Sequence, residues 1–168
     1  MEAAGYKGER TVVLAATDIA SLNAMAEVAA DMFHRIGINV DYQATDWGTV
    51  VQRIASRAPV EKGGWSVYTN FVFGISMINP AADNYIRGNG LSAMFGWPDA
   101  PKLETLRNAW FDAPDLEAQK KIAREMQLQA FRDVPYWPTG MFFQATAYRK
   151  SITGVLKGFS LFYNVRKV

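Results

Sequence analysis

Residues 11–45, TVVLAATDIASLNAMAEVAADMFHRIGINVDYQAT, decide the fold class. Thr11 to Ala16 is a short apolar, β-branched run with no polar alternation, the pattern of a central strand covered on both faces. After Thr17-Asp18, apolar residues at Leu22, Met25, Val28, Ala29, Met32, Phe33 and Ile36 recur at helical spacing. Gly37 stands where a left-handed cap would end the helix. Ile38, Val40, Tyr42 and Ala44 then alternate with Asn39, Asp41 and Gln43, which predicts a second strand with one drier face. Strand, helix and strand in that length predict a right-handed βαβ unit, and hence an α/β domain with a sheet flanked by helices.

Working outward, Thr45 or Asp46 is placed to cap a helix carrying Trp47, Val50, Val51 and Ile54, ended by Pro59 at the latest. Trp47 lies on the apolar stripe of that helix and is expected in the core. Lys62-Gly63-Gly64 predicts a turn, and the aromatic, β-branched stretch Trp65 to Phe73 predicts a third strand in its first half. From about residue 70 to residue 99 periodicity vanishes, while four Asn, two Pro and five aromatic residues gather. A loop of that length in a folded domain is usually functional or disordered, and its aromatic content argues against disorder. Pro101 opens a helix with Leu103, Leu106 and Trp110. Pro114-Asp115 starts a longer one with Leu116, Ile122, Met126 and Ala130, stopped at Val134-Pro135. A strand is expected from about Met141 to Tyr148, and a short last strand from Phe159, Leu161, Phe162 and Tyr163. After Pro135, alternation should bury one of Tyr136 and Trp137 and expose the other.

The chain has 168 residues, 49% of them hydrophobic and 20% charged, enough for one domain with a real core. Its net charge is +2, with six Lys/Arg against nine Asp/Glu in residues 1–84 and twelve against seven in residues 85–168. Those bases are dispersed among acids, so no nucleic-acid partner is expected. Arg149, Lys150 and Lys157 read as solvated turn residues. The absence of cysteine excludes disulfides, thiolate metal sites and a cysteine nucleophile. No uncharged apolar run reaches the roughly 18–20 residues that span a bilayer, and MEAAGYKGER lacks the apolar core of a signal peptide. As written, the chain is expected to stay in the cytosol.

The order of these elements and their punctuation resembles the C-terminal lobe of periplasmic solute-binding proteins that feed peptide, nickel and oligosaccharide ABC importers, the extracellular solute-binding protein family 5. The matching features are Ala4-Gly5-Tyr6, the strand from Thr11, Ile36-Gly37-Ile38, Asp46-Trp47, Gly64-Trp65 and Asn79-Pro80. They continue through the helix pair, Pro135 to Pro138, and the basic turn into Gly154-Val155. Each is weak alone; their agreement in order and spacing over residues 3–165 is specific. The resemblance implies one lobe of a type II (cluster C) periplasmic-binding-protein fold, with a mixed sheet flanked by helices and residues 1–168 forming a single domain. It implies no catalysis and no cofactor. The partners it implies are a small solute such as a peptide or oligosaccharide, a membrane ABC permease and a missing N-terminal lobe. Such a full-length protein is periplasmic, and its signal peptide would lie in a portion cut away from this chain.

Candidate ligand-binding residues are Trp65, Tyr68, Asn70, Phe71, Phe73, Ser76 and Asn79, because solute sites combine a few amide or hydroxyl groups with flat aromatic faces. Alternation sends half of the strand's side chains to the core, so each aromatic residue is also a core candidate. Peptide-binding members commonly carry a carboxylate four residues before the loop proline, where it pairs with the ligand's free amine. Ser76 stands there, and a hydroxyl cannot offset a buried ammonium. Asp83 could substitute, or could cap a turn or helix. The competing expectation is a standalone Mg²⁺-dependent enzyme or receiver-like domain in which Asp18, Asp46 and Asp83 converge at strand ends. Each is equally a good N-cap. The only histidine, His34, sits in the last turn of its helix, where it favours the dipole and has no motif partners.

Overall fold

A computed structural model describes residues 3, 5–158 and 161–168. The chain divides into two compact units, residues 1–71 and 72–168.

The first unit holds β1 (Arg10–Ala16), α1 (Ala20–Arg35), β2 (Asn39–Thr45), α2 (Trp47–Ile54) and β3 (Val67–Tyr68). The strands form one parallel sheet in the order β2-β1-β3. β1 is central, as its unbroken apolar run requires, and Val12 to Ala16 are all buried. Alternate residues serve opposite faces. Val12, Leu14 and Ala16 pack with Leu22, Val50 and Ile54, whereas Val13 and Ala15 pack with Ala26. α1 thus reaches both clusters, through Leu22 and Ala26, whereas the buried residues of α2, Val50 and Ile54, belong to the first.

Local signals read correctly in most places. Asp46 caps α2, its side chain accepting from the Thr49 N–H at 3.0 Å. Gly37, at φ +85°, ends α1 with paired bonds from its own N–H to His34 O and from the Ile38 N–H to Phe33 O. Two expectations change. The buried stripe of α1 is Leu22, Ala26 and Ala30, while Val28 and Met32 are 60% and 42% exposed: small alanines let the helix lie close to the sheet and turn the bulkier residues outward. On β2, Ala44 is exposed, because an edge strand has a neighbour on one side only.

The second unit contains α3 (Pro101–Phe111) and α4 (Leu116–Asp133), packed against each other around Leu103, Leu106 and Met126. It also holds an antiparallel ribbon of β4 (Ile152–Thr153) and β5 (Arg166–Lys167). Parallel and antiparallel pairings thus occupy separate sheets. Asp115 caps α4, accepting from the Ala118 N–H at 2.8 Å. Leu116, expected on the apolar stripe, is exposed at the first helical position. The predicted strand from Met141 to Tyr148 does not form: these residues join no ladder among the described residues and are exposed. β propensity describes a residue's fit to a pleated neighbour, and none is supplied here. Leu161 to Tyr163 also form no strand; the ribbon uses Arg166–Lys167 instead. Phe159 and Ala4 lie outside the described residues. Tyr136 is half-buried and Trp137 exposed, but these residues lie at a bend and join no strand, so the difference does not come from strand alternation.

Candidate functional site

In the first unit the strand order 2-1-3 places β2 and β3 on opposite sides of β1. Open parallel sheets with that order form a crevice outside the carboxyl ends of β1 and β3. The residues that the chain delivers there are Thr17 and Asp18 after β1, and Thr69, Asn70 and Phe71 after β3. Thr69 Oγ1 donates to Leu22 O at 3.0 Å, tying the exit of β3 to the start of α1. Thr17 Oγ1 donates to Thr45 O at 3.1 Å, joining the exits of β1 and β2. Asn70 is half-buried, its Oδ1 accepting the Phe71 N–H at 2.8 Å. Trp65 and Tyr68 meet edge to face with centroids 5.2 Å apart, and with Phe71 and Trp47 they pack against the core around Leu14. Their rings are thus partly spent on the core, leaving each half-exposed. Thr69 was passed over in the sequence; its signal was its position immediately after a predicted strand.

Asp18 and Asp46 both serve the N-terminus of α2. Asp18 Oδ1 accepts the Trp47 N–H at 2.8 Å, and Asp46 also accepts from Thr49 Oγ1 at 2.6 Å. The hydroxyl and N–H of Thr49 hold the Asp46 carboxyl below its ordinary range. These carboxylates complete a helix end, and among the described residues no group of three His, Cys, Asp or Glu side chains is placed to hold a metal ion. Asp18 and Asp46, two of the three aspartates of the Mg²⁺-enzyme expectation, are thus engaged as caps of α2.

In the second unit Phe73 and Ser76 are exposed in and before a 3-10 turn at Gly74–Met77. Asn79 is exposed too, but its Oδ1 accepts the N–H groups of Ala81 and Ala82 at 2.9 and 3.1 Å, an Asx turn that opens the next bend. Asp83 is buried, 7% exposed, and caps a turn instead of a helix: its Oδ1 accepts the Tyr85 N–H at 2.9 Å. Burial pushes the Asp83 carboxyl up, opposed by the N–H groups of Tyr85 and Ile86. The Tyr136 hydroxyl is pushed up by burial and then by the Asp83 charge, and the Tyr136 ring meets Tyr85 at 5.8 Å.

A half-buried ion pair braces the same loop. Arg87 grips Glu104 with two bonds, at 3.0 and 3.1 Å, and Glu104 also accepts the Gly88 N–H at 2.8 Å. Burial raises the Glu104 carboxyl, but Arg87 and the Gly88 N–H outweigh it and leave it lowered. Gly88 has to be glycine, because a Cβ there would stand 2.5 Å from the Ala100 Cβ.

No family model matches the chain. A probable peptide ABC transporter periplasmic-binding protein, y4tO, of Sinorhizobium fredii (strain NBRC 101917 / NGR234) is 35% identical over 165 residues, 98% of this chain and 31% of that protein. The crystal structure of a dipeptide binding protein from Pseudoalteromonas sp. SM9913, in complex with Met-Leu, superposes with a TM-score of 0.62 at 22% identity, covering 99% of this chain and 34% of that one. The fold is therefore that of such binding proteins, a parallel sheet between helices with a smaller antiparallel element. The chain spans about a third of the length of the curated relative it matches. Along 98% of its length this chain is thus similar to one stretch of a probable peptide ABC transporter periplasmic-binding protein.

Proposed function

We propose that this chain is the C-terminal lobe of a two-lobed, periplasmic solute-binding protein that captures a peptide-like or other small polar organic solute and delivers it to a membrane ABC permease. The observation that carries this reading is the 35% identity to a protein of that description over 98% of the chain. The carboxyl ends of β1 and β3, with Asn70 and Thr69 offering polar contacts and Tyr68 and Phe71 offering ring edges, suit one wall of a clamp. Phe73, Ser76 and Asn79 are the contributions of the following loop. The lobe performs no bond-making chemistry; the relatives it resembles are described as binding proteins. Closure of two lobes on the solute converts binding energy into a shape that the permease recognises.

Calorimetry with dipeptides, Met-Leu among them, tests the proposal. The full-length protein should bind one dipeptide per molecule, and residues 1–168 alone should bind at least about a hundredfold more weakly, because half of the contacts are lost while the association cost stays. Tight, stoichiometric binding by residues 1–168 alone would contradict the two-lobed clamp. Absence of any peptide binding by the full-length protein would redirect the search to other small polar solutes.

A further inference from the structure

We infer that the exposed face of α4 is a membrane-docking surface whose occupant is a bilayer carrying anionic phospholipid headgroups; the inference goes beyond the solute-binding reading and stands without it. α4 packs on α3 through Met126, with Ile122 and Ala130 half-buried beside it. Its other face runs through Lys121, Arg124, Leu128, Phe131 and Arg132, whose spacings of three, four and seven positions bring them to one side of a helix. All five are exposed, Leu128 by 54% and Phe131 by 71%.

The solvent side of a helix is normally polar, so Leu128 and Phe131, adjacent on that side, point to a contact beyond the lobe. The charges around them decide its kind. Among the described residues the side chains of Lys121, Arg124 and Arg132 enter no ion pair or hydrogen bond. Glu117 is taken up by Lys120 at 2.8 Å, and Glu125 lines the groove between α3 and α4 together with Lys102. Unpaired cations thus surround two large apolar side chains, the pattern of a helix lying on an anionic lipid surface. The apolar groups enter the headgroup layer while the Lys and Arg heads, on their long stems, stay at the phosphates. An acidic protein partner fits less well. A specific protein interface takes about 20–30 residues a side, several times this patch, whereas a bilayer needs only charge and a few inserted side chains.

The test is co-sedimentation of the protein encoded by the complete reading frame with vesicles, either of phosphatidylcholine alone or of an equal mixture with phosphatidylglycerol, at low salt. The mixed vesicles should retain at least about tenfold more protein than the neutral ones, and raised salt should release it. Arg124→Gln and Arg132→Gln should each weaken that retention about fivefold, and Phe131→Ser about tenfold. Lys157→Gln, which removes a base on a bend outside α4, should leave it unchanged. All four side chains are exposed, so the variants should melt with the parent. Equal retention on the two vesicle types, or none on either, overturns the inference. So does a loss in Lys157→Gln as large as that in Arg124→Gln, because net charge alone would then be read. A Phe131→Ser variant that melts lower, or that turns a dimer into a monomer, also overturns it, the cover then being another part of the polypeptide or a second copy. None of these outcomes bears on solute binding, which the calorimetry above reads separately.

Discussion

The Asp18 carboxylate, in the loop that leaves β1, accepts the backbone N–H of Trp47, the first residue of α2, at 2.8 Å. A residue positioned by sequence to cap α1 thus caps a different helix, across the carboxyl edge of the sheet. With Asp46 it satisfies two of the N–H groups that every helix start leaves unpaired. The edge of the proposed cleft is held by carboxylates whose work is structural.

This arrangement predicts that Asp18→Ala and Asp46→Ala each lower the melting temperature by a few degrees, since each orphans an N–H at the start of α2. Asp18→Asn, which keeps the accepting oxygen, should lose much less. Added Mg²⁺ should leave all of these melting temperatures unchanged. A rise in the parent protein that disappears in both alanine variants would restore the metal-site reading. Thermal denaturation followed by circular dichroism reads all of these effects.

Asp83 should oppose stability at neutral pH. Its carboxyl is pushed up by burial, so the folded state holds its proton over a range where the unfolded chain has released it. The contribution of this group is therefore greatest below the unfolded value and is lost as pH rises through the folded one. Asp83→Asn keeps the acceptor for the Tyr85 N–H and removes the charge. The variant should gain on the parent between acid and neutral pH, the difference vanishing at low pH; a constant difference across a pH series of denaturant melts would refute this.

Val134 ends α4 at φ +47° and ψ +56°, a left-handed conformation that is hard on a β-branched residue and harder still before Pro135. It is 57% exposed, so its side chain gives up little if removed. Val134→Gly should raise stability by about 1 kcal/mol, measured as a shift in denaturant midpoint at unchanged slope. A loss of stability would mean that the valine's packing outweighs the strain.

Ser76 is exposed in the 3-10 turn four residues before Pro80. A carboxylate there can pair with a free amine where a hydroxyl cannot, so Ser76→Asp in the full-length protein should tighten binding of dipeptides with a free N-terminus by about tenfold, worth about 1.4 kcal/mol. An N-acetylated dipeptide should not benefit. Equal gains for both ligands, or none, would place Ser76 away from the amine.

The sequence by itself determined the elements whose causes are local. The apolar run of β1, Gly37 at the end of α1, the caps Asp46 and Asp115 and the stop at Pro135 all act within a few residues, so pattern and propensity suffice to read them. The irregular 70–99 stretch was legible for the same reason, through missing periodicity. Tertiary structure alone decided which partners these elements meet. Ala26 and Ala30, not Val28 and Met32, face the sheet because close approach favours small side chains. Asp18 reaches the second helix because the parallel sheet brings the exits of β1 and β2 side by side. Arg87 and Glu104, seventeen residues apart, became a pair only when the loop folded onto α3. The residues 141–148 carry a strand's pattern but join no ladder among the described residues, because a ladder is a property of two strands' backbones and local pattern describes only one of them.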